Sequence, residues 1–124
     1  MRALWIVGLG SFLGGCARYG LSRWVQTHLP GAFPFGTMAV NLAGCLLIGV
    51  LYGLFERGRI ADPDFRLFAV AGFCGGFTTF STFAGEGLSL FQAGQFFSFA
   101  AYAGLSLVLG LAMVFAGQYL VRMF

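Results

Sequence analysis

Residues 75–86, with the sequence GGFTTFSTFAGE, interrupt one of the most apolar regions of the chain. They include two adjacent glycines, four hydroxyl side chains, three phenylalanines and a carboxylate. Inside a bilayer, backbone leaves its helical hydrogen bonds only where protein or a water-filled cavity replaces them. Since Gly75 and Gly76 precede a pair of threonines, all poor helix formers, the stretch predicts a helix broken at the two glycines and a candidate site there. A glycine notch for helix packing is the alternative.

The composition around this stretch is that of a membrane protein. Of the 124 residues, 59% are hydrophobic and 9% are charged, against roughly a quarter charged in an ordinary soluble domain. A membrane-spanning helix needs about 20 mostly apolar residues, and residues 3–25, 36–55, 65–91 and 96–120 meet this requirement. The sequence therefore predicts one all-α transmembrane domain over residues 1–124, with four spanning helices and the third broken in mid-membrane.

The first apolar segment also loosely resembles a lipoprotein leader that is cleaved before Cys16. This segment, however, runs on from Trp5 to Trp24, a separation that matches the bilayer thickness. A retained first helix is therefore the favoured interpretation.

The basic residues, all of them arginine, are distributed unevenly along the chain. With four spans, both termini and the second loop share one side, which holds Arg2, Arg57, Arg59, Arg66 and Arg122. The opposite side has Arg23, and Arg18 lies deeper in the first span. The positive-inside rule then predicts cytoplasmic termini for this multi-pass protein.

Small residues mark the expected helix contacts. Gly10, Gly14 and Arg18 follow one another at steps of four in the first span, and Gly49 and Gly53 form a GxxxG pair in the second. Such patterns allow helix backbones to approach closely. Because four helices enclose little interior of their own, a chain with this many polar groups also predicts a homo-oligomer.

Polar side chains recur on the faces of two spans. The steps of four place Thr37, Asn41 and Cys45 on one face of the second span, and Tyr102 and Ser106 share a face of the fourth. Interhelical hydrogen bonding is one interpretation. Donors on three separate helices together favour a polar path through the protein.

A helical wheel beyond the break predicts two opposite faces. It groups three phenylalanines on one side and three hydroxyl residues on the other: Phe77, Phe80 and Phe83 against Thr78, Ser81 and Thr82. The positive edges of phenyl rings can contact an anion, and hydroxyls can donate hydrogen bonds to one. Carbonyls freed at a break can coordinate a cation such as sodium.

Arg18 and Glu86 are the ionisable residues nearest the membrane interior, where charge is costly and suggests function. They could instead pair with each other or snorkel. Arg18 at the mouth of a path would attract anions. Glu86 would repel them, which favours a gating, packing or hydrogen-bonding role.

Three motifs resemble the Fluc fluoride channels, also called CrcB proteins: GTMAVNLAG at residues 36–44, GGCARY at 14–19 and GFCGGFTTFSTFAGE at 72–86. The resemblance covers essentially the whole chain. It implies a fluoride-selective passive channel that exports fluoride from the cell across a bacterial-type inner (plasma) membrane. The implied assembly is an antiparallel, dual-topology homodimer with two pores and a central structural sodium ion. Given the arginine bias, an oppositely oriented paralogue could replace the second copy.

Carried onto this chain, the resemblance assigns roles to individual residues. Sodium would be held by the backbone carbonyls of Gly75 and Thr78. The fluoride pore would be lined by Asn41, Phe80, Phe83, Ser81, Thr82, Thr37 and Tyr102. Arg18 and Glu86 would serve a vestibule or gating role.

Other classes fit the sequence less well. A small proton-coupled multidrug exporter is expected to carry a carboxylate in its first helix, where this chain has Arg18. A non-transporting membrane assembly subunit would pack its small-residue faces against another protein. No catalytic constellation, organic cofactor or nucleic-acid-binding pattern is predicted, and Cys16, Cys45 and Cys74 are interpreted as isolated packing residues.

Overall fold

The computed structural model describes residues 1–31, 33–59 and 62–123, and the predicted domain, residues 1–124, extends beyond them at positions 32, 60, 61 and 124. The described chain is helical without strands. Its helices are α1 (Arg2–His28), α2 (Phe35–Glu56), α3 (Pro63–Arg66), a π-helical stretch (Leu67–Cys74), α4 (Gly75–Phe77), α5 (Phe80–Gln92) and α6 (Phe96–Arg122). Residues 63–92 form the third segment. The predicted all-α fold with four long helical segments is confirmed.

Three of these segments are long and apolar enough to cross a membrane: Phe35–Glu56, Pro63–Gln92 and Phe96–Arg122. Helix α1 has 27 residues, which is sufficient length, but its glycines and Arg18 lower its hydropathy. Length alone would allow α1 to span beside the other three.

Glycines bring α2 and α6 into backbone contact. A Cβ atom on Gly49 would lie 2.2 Å from the carbonyl oxygen of Val114, and one on Gly117 would lie 2.4 Å from that of Leu46. No larger residue fits at either position without moving a helix. The close contact predicted from the GxxxG pair of the second span is confirmed at Gly49.

The interface between α1 and the third segment is built in the same way. A Cβ atom on Gly10 would lie 2.5 Å from the Phe68 carbonyl oxygen, and one on Gly14 would lie 2.2 Å from that of Phe73. The hydroxyl of Ser11 donates to the carbonyl of Gly72 at 3.3 Å. The step-of-four pattern in α1 therefore marks a helix contact, as predicted.

The break in the third segment lies later than the sequence predicted. Gly75 has helical angles (φ −62°, ψ −37°), whereas Thr78 (φ −82°, ψ 153°) and Thr79 (φ −147°, ψ 121°) are extended. Gly76 serves close packing instead, since a Cβ atom there would lie 2.6 Å from the carbonyl oxygen of Ser11. The prediction of a break at the two glycines is therefore wrong by about one helical turn.

The arginine-rich end, defined by Arg2, Arg57, Arg59, Arg66 and Arg122, is one physical end of the bundle. Arg2 pairs with Asp64, and Nη1 of Arg57 donates to the carbonyl of Val121 at 2.7 Å. These bonds join the N-terminus, the second loop and the C-terminus. The predicted shared side of these three regions is confirmed.

Candidate functional site

The side chain of Asn41, on α2, bonds both backbone groups of Thr79 at the break. The N–H of Thr79 donates to Oδ1 of Asn41 at 2.9 Å, and Nδ2 of Asn41 donates to the carbonyl of Thr79 at 3.1 Å. Thr79 is extended and bonds into neither neighbouring helix through these groups. The amide therefore replaces the backbone partners that Thr79 lacks.

Hydroxyl groups gather at the N-terminus of α5. Oγ1 of Thr79 accepts from the N–H of Thr82 at 3.2 Å, which caps the helix. The same oxygen donates to the Thr82 hydroxyl at 3.2 Å and lies 3.4 Å from that of Ser81. The structure thus brings Ser81 and Thr82, two residues of the expected hydroxyl track, together around Thr79.

The same contacts leave two backbone carbonyls without their helical donors. The N–H that would reach Gly75 belongs to Thr79 and bonds to Asn41 instead. The N–H that would reach Thr78 belongs to Thr82 and bonds to the Thr79 hydroxyl. These are the two carbonyls to which the family resemblance assigned a sodium ion.

The helical wheel was wrong for two residues. Phe77 is buried before the break and stacks on Phe73 with ring centroids 5.7 Å apart. The hydroxyl of Thr78 turns back to the carbonyl of Cys74 at 2.9 Å. Because Thr78 and Thr79 are extended, α5 does not continue the rotation of α4, and a single wheel cannot describe both.

Phe80 and Phe83 remain neighbours on α5, with ring centroids 5.8 Å apart. Phe80 is 79% exposed in the single chain, and Phe83 lies 5.0 Å from the ring of Tyr102 on α6. Both phenylalanines line a groove of about 320 Å³ beside the break, together with Asn41. The groove is mainly apolar in its walls, with the break at one side.

Two buried hydroxyls on α6 have no hydrogen-bond partner among the described residues. They are the hydroxyls of Tyr102 and Ser106, and Ser106 also lines the groove. A buried unsatisfied polar group is costly, so such groups are often completed by a ligand, an ion or water. The sequence placed Ser106 on the Tyr102 face but did not include it in the site.

The ionisable residues do not pair with each other. Nε of Arg18 donates to the carbonyl of Gly76 at 3.3 Å, just before the break. Glu86 accepts a hydrogen bond from the hydroxyl of Thr37 instead. Direct pairing of Arg18 with Glu86, one of the alternatives left by the sequence, is wrong; Arg18 lies beside the break and Glu86 joins α5 to α2.

These features define the class of the protein. It is an all-α, multi-pass membrane protein in which one helical segment is broken and polar groups from α1, α2 and α6 approach the break or the groove beside it. Comparison with known proteins narrows this class to a family.

Residues 5–118 match the family described as CrcB-like protein, Camphor Resistance (CrcB), and the chain belongs to this family. It is 47% identical over 117 residues, 94% of each chain, to the fluoride-specific ion channel FluC of Nitratidesulfovibrio vulgaris. It is 45% identical to the protein of the same name from Desulfotalea psychrophila, covering 95% of this chain and 91% of the relative. The FluC of Leptospira interrogans is 37% identical, covering 99% and 97%. With the three span-like segments, these bacterial relatives identify a multi-pass bacterial membrane protein.

Proposed function

We propose that this chain forms a fluoride-selective passive ion channel that releases fluoride from the cell. The relatives that match it over nearly their whole length are named fluoride-specific ion channels. The observation that carries the proposal is the groove beside the break, where Asn41 and the two phenylalanines of α5 meet the unpaired hydroxyl of Ser106. A channel role requires no catalytic group.

The chemistry of the groove suits a small, strongly hydrated anion. Fluoride loses part of its water in a narrow passage only if fixed donors replace it. The unpaired hydroxyls of Tyr102 and Ser106 are available donors, and the ring edges of Phe80 and Phe83 carry partial positive charge. The pore proposed here is lined by Asn41, Phe80, Phe83, Ser81, Thr82, Thr37 and Tyr102.

The ionisable residues have separate roles in this proposal. Arg18 would raise the local anion concentration in a vestibule beside the break. Glu86, held by Thr37, would act at a gate or as a hydrogen-bonding support rather than as an anion ligand.

The proposed assembly is an antiparallel homodimer with two pores. In one chain the ring of Phe80 is 79% exposed, so a pore wall that includes it would need a second chain to close the groove. The arginine-rich end favours one orientation for each chain. An oppositely oriented paralogue is therefore the alternative partner.

A sodium ion is proposed at the break. The carbonyl oxygens of Gly75 and Thr78 lack their helical donors, and freed carbonyls of this kind coordinate sodium in transporters. No cluster of metal-ligating side chains occurs within residues 1–31, 33–59 and 62–123. The carbonyls of Gly75 and Thr78 would supply half of the ligands of a sodium ion, and the same carbonyls of the second chain would supply the other half.

The proposal is tested by efflux from liposomes that contain only this protein and are loaded with fluoride or chloride. Ion-selective electrodes should record rapid fluoride release without chloride release, lost in Phe80→Ile and Asn41→Asp. A proton-coupled exporter would depend on a pH gradient, and an assembly subunit would move no ion. If the liposomes retain fluoride, the protein is reconstituted together with an oppositely oriented paralogue from the same cell. Fluoride release from these liposomes would support a heteromeric channel, whereas continued retention would contradict the proposal.

A further inference from the structure

A second groove lies at the arginine-rich end, away from the break. It has a volume of about 400 Å³ and is lined by Tyr52, Phe55, Glu56, Arg66 and Gln118. These residues come from the end of α2, the start of the third segment and the last turns of α6. All three elements pass from apolar span to polar end at this level, so the groove lies at the depth of lipid headgroups.

Arg66 is fixed in this groove without an anionic partner. Its guanidinium carbon lies 4.9 Å from the centroid of the Phe55 ring. It makes no ion pair with a carboxylate of the described residues. A guanidinium stacked on an aromatic face keeps its N–H groups at the edge free for a planar or tetrahedral anion.

The one carboxylate of the groove is already engaged. Glu56 lies 3.7 Å from Nη2 of Arg122 and also accepts a hydrogen bond from the side-chain amide of Gln118. Arg122 balances Glu56. Asp62, four positions before Arg66, accepts from the N–H of Asp64. No carboxylate of the described residues lies within 4.0 Å of the Arg66 guanidinium. The local field therefore favours an anion at the mouth of the groove.

We propose that this groove binds the phosphodiester headgroup of an anionic phospholipid, with Arg66 as its principal cation. Basic pockets between spanning helices are suited to lipid headgroups, and the phosphate is the anion present in bulk at this depth. The Tyr52 hydroxyl is a neutral donor at the rim, and its ring belongs to the membrane interface. The acyl chains would lie along the exposed apolar faces of α2 and α6.

The test measures lipid retention by native mass spectrometry of the full-length protein in detergent. Phosphatidylglycerol and phosphatidylcholine are added in separate titrations, and inorganic phosphate is then added to the complex with phosphatidylglycerol. The wild type should retain phosphatidylglycerol preferentially, and Arg66→Gln should weaken this binding about fivefold. Arg23→Gln removes an exposed arginine at the opposite end and should change nothing. Arg66→Lys keeps the charge without the guanidinium edge and should recover part of the binding.

Equal retention of phosphatidylglycerol by wild type and Arg66→Gln would overturn the proposal. So would an equal loss in Arg23→Gln, which would indicate general surface charge. If inorganic phosphate displaces phosphatidylglycerol at millimolar concentration, the groove is a free-anion site and the lipid assignment is wrong. If Arg66→Gln does not remain monodisperse, Arg66→Lys and Phe55→Leu are compared with the wild type instead. Both variants should retain less phosphatidylglycerol than the wild type, and equal retention by all three would overturn the proposal. Fluoride efflux by Arg66→Gln should stay unchanged. The lipid-binding proposal and the channel proposal are therefore tested independently of each other.

Discussion

The side-chain amide of Asn41 is hydrogen-bonded to both the N–H and the carbonyl of Thr79, at 2.9 Å and 3.1 Å. The two residues belong to different helical segments, so α2 holds the third segment at the point where its own hydrogen bonds stop. One N–H of the Asn41 amide remains available after this pairing. The side chain can therefore support the break and still face the groove.

Asn41→Asp should both destabilise the protein and abolish fluoride efflux. A carboxylate cannot donate to the carbonyl of Thr79, and a carbonyl left unsatisfied costs about 1–3 kcal/mol. Thermal melting in detergent and liposome efflux measure the two effects. Gln26→Glu, in the last turn of α1, is a control for amide-to-acid exchange away from the break and should retain efflux. A variant that melts like the wild type yet conducts nothing would contradict the supporting role of Asn41.

Phe80→Ile should lose efflux with little loss of stability. The Phe80 ring is 79% exposed in the single chain, so its replacement removes few packing contacts. Phe97→Ile is the matched control, since Phe97 is 88% exposed on α6 and lies outside the groove. Unchanged efflux in Phe80→Ile, or an equal loss in both variants, would remove Phe80 from the pore.

Tyr102→Phe should slow fluoride efflux without weakening the fold. The Tyr102 hydroxyl makes no hydrogen bond of normal geometry among the described residues, and Thr37 is the side chain that interacts with it, so its deletion should leave the melting temperature nearly unchanged. Loss of one donor to the ion should reduce efflux about tenfold, the equivalent of about one hydrogen bond. Tyr119→Phe, at an exposed position on α6, provides the comparison. A large drop in melting temperature for Tyr102→Phe would indicate a structural hydroxyl instead.

Gly14→Ala should destabilise the protein by about 1–3 kcal/mol through overpacking. The new Cβ atom would lie 2.2 Å from the carbonyl oxygen of Phe73, whereas a Cβ atom on the adjacent Gly15 meets nothing within 4 Å. The pair Gly14→Ala and Gly15→Ala thus compares the same substitution on two faces of α1, and detergent melting curves measure it. Equal melting temperatures for the two variants would contradict the α1 contact described here.

The helices and their contacts could be predicted from the sequence because span length and glycine spacing are local properties. The location of the break depends on a contact between distant parts of the chain. Gly75 and Gly76 have a low helix propensity, but Gly76 stays helical and lets the third segment approach α1 closely. The helix breaks at Thr79 because Asn41, 38 positions away in the sequence, supplies hydrogen bonds to the Thr79 backbone. Propensity alone does not report such a tertiary partner.

The candidate site was predictable in composition but not in geometry. Asn41, Phe80, Phe83 and the hydroxyls of α5 were singled out from their chemistry and from the family resemblance, and their pore roles stay predictions. The separation of Phe77 from Phe80 could not be foreseen from a single helical wheel. The spacing of Tyr102 and Ser106 did contain the signal that two hydroxyls share one face, although only packing reveals that both lack partners.

The π-helical stretch Leu67–Cys74 sets the rotational register of everything that follows it. Its bonds reach one residue further than those of an α-helix, so each turn accommodates more residues. Deleting one residue here would let the backbone revert to α-helical bonding and would turn the following segment about its own axis. Thr79 would then swing away from Asn41 although neither residue had changed. The tolerance of this protein to insertions and deletions should therefore be lowest in a stretch that contains none of its proposed pore residues.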